Sequence, residues 1–212
     1  QNVVDQEIQS CERAAIIRDA PVMHLKIRLN DEINTEFIEE RPVVSGDGNT
    51  LVFVRKLKFY DAIFCSRKIG GVWQTPVNLN PQLLSDGDFY PSGLSHEGNE
   101  LILARKQGDS YDLYSSEYQN ETWSEAKKMS GKLNSVFSET HGSFGANDKT
   151  IYVSSNRKRG KGGYAIWYAK KNKKGEWGRL KNMGKKINTE LDEQIAYMCP
   201  AEDILFFSSQ GH

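Results

Sequence analysis

Short apolar runs separated by turn residues set the rhythm of this chain. The first four are Pro42-Val43-Val44, Leu51 to Val54, Ala62-Ile63-Phe64-Cys65, and Val72-Trp73 continuing through Val77-Leu79. Each is too short for a helix and rich in the β-branched and aromatic residues that suit strands. Ser45-Gly46-Asp47-Gly48-Asn49 supplies the glycines and Asx residues of a tight hairpin between the first two, and Gly70-Gly71 divides the last two. The second run is apolar without alternation, which predicts a strand buried on both faces.

The pattern then repeats. The phrase Ile33-Asn34-Thr35 returns as Leu133-Asn134-Ser135 and Ile187-Asn188-Thr189, with Leu83 opening a weaker copy between them. The second strands begin at Leu51, Leu101, Ile151 and Leu205, and Trp73, Trp123 and Trp177 keep the same step. Four strands per unit at a period of ~40–50 residues is the mark of a β-propeller blade. The expected fold is therefore all-β: a β-propeller of four-stranded antiparallel blades with repeats at about 33–82, 83–132, 133–186 and 187–212. Three blades are complete and the last is partial, since the fourth copy holds only two strands. Such a blade is either part of a longer array or completed from elsewhere.

The N-terminal stretch suggests what completes it. Over residues 3–18, Ile8, Cys11 and Ala15 fall on one face at helical spacing, and Pro21 ends the run, so residues 1–20 read as a short helix. Alone it is marginal, and it is expected to dock on the propeller or on another helix. Val22 to Leu29 alternates like a strand. It stands where other copies have their fourth strand, so the 21–212 propeller is expected to be closed by it, as an outer strand donated to the last blade.

These phrases resemble the WD40-like β-propeller repeat of the TolB type. The resemblance rests on Ile33-Asn34-Thr35, Pro42, Ser45, Asp47-Gly48, Leu51, Phe53, Tyr60 to Phe64, Trp73, Pro76, Asn78 and Leu79. Later copies depart from it: Gly142 replaces proline, Ala165 an aspartate, Cys199 a serine, and Ala201-Glu202 the Asp-Gly pair. A narrower resemblance rests on Ile8 to Ala14, Pro21-Val22 and Lys26-Ile27. These are similar to the junction of envelope proteins that join a tetratricopeptide array, a propeller and an OmpA-like domain, some of them components of type IX secretion. The resemblance implies a periplasmic, outer-membrane-associated location. Peptidoglycan association would come only through domains that this sequence does not contain.

Composition narrows the chemistry. Lysine plus arginine equals aspartate plus glutamate at 28 each, so no global charge argues for nucleic acid or acidic lipid. No apolar run approaches the ~18–20 residues of a membrane span. The three cysteines and four histidines show no metal-ligand spacing, and no cofactor is implied. A Cys65–Cys199 bridge across the closing seam remains open beside plain burial. Gly93-Leu94-Ser95-His96-Glu97 approaches a hydrolase nucleophile elbow but lacks its final glycine and falls on a hairpin. Ser45-Gly46-Asp47-Gly48 is a poor match to a sialidase aspartate box. No catalytic residue is assigned.

Two candidate binding surfaces remain. Glu39, Glu139 and Glu193 recur where each innermost strand begins, with Asp88 beside Phe89 in the second copy, and they are placed to ring one mouth of the central channel. Carboxylates there could do acid–base work or hold a cation, or else hold turns between blades. Recurrence in every blade also fits that structural role. The second surface breaks the repeat. Residues 156–186 carry twelve lysines and arginines against Glu176 alone, and Arg157-Lys158-Arg159-Gly160-Lys161 lies in an inserted, glycine-rich loop expected to be mobile. Such an edge can steer an anionic partner, or simply keep an edge strand from aggregating. The reading that results is a non-enzymatic interaction or scaffold propeller with an envelope protein partner. The alternative is a carbohydrate-active propeller, which would need two carboxyls ~5–9.5 Å apart.

Overall fold

The structure, a computed structural model, describes residues 26–199 and 204–211, together with the helical positions Val4, Asp5, Ile8, Cys11, Glu12 and Ala15. Strands β1 (Ile38–Val44), β2 (Thr50–Lys56) and β3 (Asp61–Ile69) form the first sheet, whose outer edge is split into β4 (Val72–Trp73) and β5 (Val77–Asn78). The second sheet repeats this with β6 (Phe89–Leu94), β7 (Glu100–Gln107), β8 (Ser110–Gln119), β9 (Thr122–Trp123) and β10 (Lys127–Lys128). The third holds β11 (Glu139–Phe144), β12 (Thr150–Ser155), β13 (Ala165–Lys170) and β14 (Lys181–Asn182), and the fourth β15 (Glu193–Met198) and β16 (Leu205–Ser209). All pairings are antiparallel, and the registers Thr50 to Arg67, Glu100 to Glu117 and Thr150 to Lys170 correspond from sheet to sheet.

Side-chain chemistry explains both the hairpins and the stacking. Ser45 Oγ accepts the Thr50 N–H at 2.9 Å, while Asp47 Oδ1 accepts the Asn49 N–H at 3.0 Å. Ser95 serves the next hairpin in the same way, accepting from Asn99 and Glu100. That makes Gly93 to Glu97 part of an ordinary hairpin. Successive residues of a strand face opposite ways. Leu101 and Leu103 of β7 therefore pack against Val52, Val54 and Ile63 of the first sheet. Ile102 and Ala104 face Ile151 and Val153 of the third. The sheets stack face to face, with β1, β6, β11 and β15 side by side at the axis. At Gly93 two inner strands touch: a Cβ there would lie 2.7 Å from the Gly142 carbonyl oxygen. Each innermost strand also carries a register shift, between Glu40 and Val43, Pro91 and Gly93, Glu139 and His141, and Gln194 and Tyr197. Such bulges bend a strand and re-aim its side chains.

The N-terminal expectations change. Residues 16–25, which include the first half of the anticipated Val22–Leu29 strand, lie outside the described residues. The part that is described, Lys26 to Asn30, forms no strand, and β16 pairs only with β15 among the described residues. Leu29 instead packs beside Ile33, Leu51, Phe53 and Trp73, and Asn30 Nδ2 donates to the Trp73 carbonyl at 3.0 Å. These contacts hold the segment on the first sheet. The helical face of Ile8, Cys11 and Ala15 is exposed rather than docked. No disulfide joins Cys65 to Cys199, and Ala201-Glu202 lies outside the described residues.

Candidate functional site

The recurring carboxylates sit at the start of each inner strand, Asp88 just before it, and each is held by neighbouring residues of its own copy. Glu39 Oε1 accepts from Thr35 Oγ1 at 2.6 Å and from Arg55 Nε at 2.9 Å. Asp88 pairs with Arg105. Glu139, fully buried, accepts from the Ser135 N–H, from the Ser135 and Ser155 hydroxyls, and from Arg157. Glu193, equally buried, accepts from the Thr189 N–H and hydroxyl and from Ser209 Oγ at 3.1 Å. With Glu139 and Glu193 wholly buried, the four carboxylates form no exposed ring.

The basic loop divides. Arg157 turns inward: Nη2 lies 2.9 Å from Glu139 Oε1, Nε donates to Ser155 Oγ at 3.1 Å, and the guanidinium stands over the Trp167 ring at 5.6 Å. Its place in the scheme is that of Arg55 and Arg105, because Ser155 occupies the equivalent position on β12. Lys158, Arg159 and Lys161 remain exposed. The expected mobility of the loop gives way to a close fit. A Cβ on Gly162 would lie 2.4 Å from the Leu191 carbonyl oxygen, and the Tyr164 N–H donates to Asp192 Oδ1 at 2.8 Å. The glycines let the loop lie flat on the entry to the fourth sheet.

A different site lies on the axis. One and two residues after Glu39, Phe89, Glu139 and Glu193, the inner strands present Glu40-Arg41, Tyr90-Pro91, Thr140-His141 and Gln194-Ile195. No two sheets offer the same pair. The bulges put Arg41 and Ile195 at φ of 53° and 54°, and Arg41 lies over the Tyr90 ring at 4.3 Å. Together these strands line a cavity of about 410 Å³ that includes Arg41, Tyr111, Thr140, His141 and Gln194. A second hollow of about 310 Å³ shares Pro42, Val43, His141 and Ile195 and reaches Phe144 and Tyr197. Burial pushes the His141 imidazole down to about 4, and the Arg41 charge acts the same way against a hydrogen bond to the Ala196 backbone. His141 is therefore neutral near pH 7. Thr140 Oγ1 is buried with no hydrogen-bond partner. The wall thus offers one cation, neutral donors and acceptors, and apolar surface, without a carboxylate. Among the described residues, no group of three or more His, Cys, Asp or Glu is placed to hold a metal ion.

Sequence reasoning missed this site because it followed what recurs. The signal was the reverse: positions 41, 91, 141 and 195 fall in phase yet carry Arg, Pro, His and Ile.

Stacked, curled antiparallel sheets of this kind define a TolB-like β-propeller fold. The chain is similar to the solved structure of a putative TolB from Agrobacterium tumefaciens, with a TM-score of 0.54 and 17% identity over 77% of this chain and 51% of that one. It is also similar to TolB from Acinetobacter baumannii, with a TM-score of 0.51 and 13% identity over 81% of this chain and 37% of that one. The chain thus spans about half or less of the length of these structures. At such identities the likeness is one of fold. No protein-family model matches the sequence, and no curated protein does.

Proposed function

We propose that this chain is a non-enzymatic interaction propeller of the bacterial cell envelope, periplasmic and outer-membrane-associated, that docks a protein partner at its axial cavity. The observation that carries this reading is the repeat-breaking set Arg41, Pro91, His141 and Ile195 around one hollow. Positions that hold the blades together recur, whereas these do not, and a fold needs no such variety at its axis. The unpartnered Thr140 hydroxyl and the neutral His141 suit hydrogen bonding to a polypeptide better than proton transfer. The likeness of fold to TolB structures supports the location.

The exposed Lys158, Arg159 and Lys161 add a steering surface for an acidic partner, where charge raises the rate of encounter more than the lifetime of the complex. The glycan reading has lost its footing. Glu139 and Glu193 are buried and fully engaged, and the cavity wall provides no carboxyl pair.

The test is capture from envelope extract on immobilised protein, followed by binding kinetics with the captured partner. Arg41→Glu is expected to shorten the complex lifetime. Reversing Lys158, Arg159 and Lys161 to Glu is expected to slow association and flatten its salt dependence. A captured protein indifferent to both changes would refute the reading.

A further inference from the structure

We propose that the cleft at the rim between the first and second sheets binds a small, uncharged aromatic molecule carrying a hydrogen-bond-accepting oxygen. The cleft holds about 200 Å³. That is room for one ring, below the ~300–1,000 Å³ of sites for larger ligands. Cys65, Val77 and Leu79 form one wall, and Tyr118 and Trp123 the other. It exists because the outer edge of the first sheet is broken between β4 and β5, where Ser66 Oγ donates to the Gln74 carbonyl at 2.5 Å. The Trp123 backbone N–H donates to Gln82 Oε1 at 2.8 Å across the gap.

The second sheet is built the same way, with Ser116 Oγ donating to the Ser124 carbonyl at 2.6 Å. Its corresponding depression is lined by Ser115, Glu117, Gln119 and Lys127, where the first sheet has Cys65, Arg67, Ile69 and Val77. The backbone frame therefore tolerates polar residues at every one of these places. In the first sheet positions 65, 69 and 77 carry Cys, Ile and Val instead, which leaves Ile69 at 69% and Val77 at 55% exposure on the lip. Covering this lip would take apolar surface out of water, which favours an apolar occupant.

The polar groups define what that is. Arg67 and Glu121 both line the cleft, so a carboxylate ligand meets one like charge and an ammonium the other. The Cys65 thiol, pushed up to about 11 by burial against the pull of Arg67, stays protonated near neutral pH and leaves the floor uncharged. Arg67 lies over the Tyr118 ring at 3.9 Å and donates through Nη2 to the Gly98 carbonyl at 2.7 Å. Its Nε–H is buried and has no acceptor in the protein. An unmet buried donor is costly, and a turn of the guanidinium toward the cleft would let an oxygen on the ligand meet it.

The probe is benzamide, titrated into the full chain labelled with 5-fluorotryptophan and followed by fluorine NMR, with Trp123→Phe assigning the resonance. A saturable shift of the Trp123 signal is expected, with benzoate and benzylamine each binding about fivefold or more weakly. The variant Cys65→Ser/Ile69→Gln/Val77→Lys, which installs the residues of the second sheet, is expected to weaken binding about tenfold or more. Val77→Lys alone, at the exposed lip, gives the same direction should the triple variant fail to fold. A linear, unsaturable benzamide response overturns the proposal, as does equal binding by a folded variant. If an apolar peptide shifts the resonance and benzamide does not, the cleft anchors a partner's side chain and the proposal likewise falls.

Discussion

Asn134 grips the backbone of Leu113 with both ends of its amide, accepting the N–H at 2.7 Å through Oδ1 and donating to the carbonyl at 2.9 Å through Nδ2. Asn188 does the same to Ile166, at 2.8 Å each way. The residue that follows then holds the next blade: Ser135 bonds Glu139, and Thr189 bonds Glu193. In these two copies the Ile/Leu-Asn-Thr/Ser phrase is thus a clasp. Its asparagine reads the third strand of one sheet, and its hydroxyl residue fixes the innermost strand of the next. Asn34 of the first copy instead holds the Leu29 carbonyl.

Breaking the clasp has a definite cost. Asn134→Leu leaves a buried N–H and a buried carbonyl without partners, and is expected to destabilise the protein by about 2–4 kcal/mol. Urea denaturation followed by tryptophan fluorescence measures it. An unmoved midpoint would mean that the amide contributes nothing to joining the sheets.

Arg157 and Lys158 are neighbours with different duties. Arg157→Ala strands the buried Glu139 carboxylate and should cost about 3–5 kcal/mol. Lys158→Ala, on the exposed side of the same loop, should stay within about 0.5 kcal/mol. Equal effects from the two substitutions, by thermal or chemical denaturation, would contradict the inward role of Arg157.

Trp123 is 4% exposed and packs on Tyr118, with ring centroids 5.4 Å apart. The same register places Lys68 on Trp73 at 4.5 Å and Lys171 on Trp177 at 4.7 Å. Trp123→Ala is expected to cost about 3–5 kcal/mol in a denaturant titration. A change below about 1 kcal/mol would remove these tryptophans from the framework.

His141 makes stability depend on pH. Its ordinary value is 6.5 and its folded value about 4, so between these the unfolded chain binds a proton that the folded one refuses. Stability from this group is full above about 6.5 and declines as pH falls toward 4. His141→Gln should therefore lose less stability than the wild type between pH 7 and pH 4.5, by chemical denaturation at each pH. Identical losses would show that the imidazole protonates as freely in the folded cavity as in water.

The blade framework was legible in the sequence because each blade solves the same packing problem with the same residues. The unalternating run at Leu51 to Val54 announced a strand buried on both faces, and β2 is one. Of the expected closing strand, Val22 to Leu25 lie outside the described residues, while the described part from Lys26 forms no strand and Leu29 packs on the first sheet. Arg157 was read as solvent-facing because it lies in a basic run, although the serine at 155, in phase with Arg55 and Arg105, already called for a cation nearby. In the second copy, Leu84 stands where an asparagine is expected. Asn80 takes over the task from the helical turn Asn80–Leu83, accepting the Ile63 N–H at 2.9 Å. The axial site escaped altogether, since it consists of positions at which the copies differ.

The central claim is that a protein partner sits on the axial cavity, and photo-crosslinking tests it most directly. A benzophenone amino acid at Ile195, on the cavity wall, is compared in living cells with one at Val136, which is 93% exposed. The account predicts a discrete protein adduct from position 195 that disappears when Arg41→Glu is added, and none from position 136. No adduct at 195, or one that survives the Arg41 change, would contradict it.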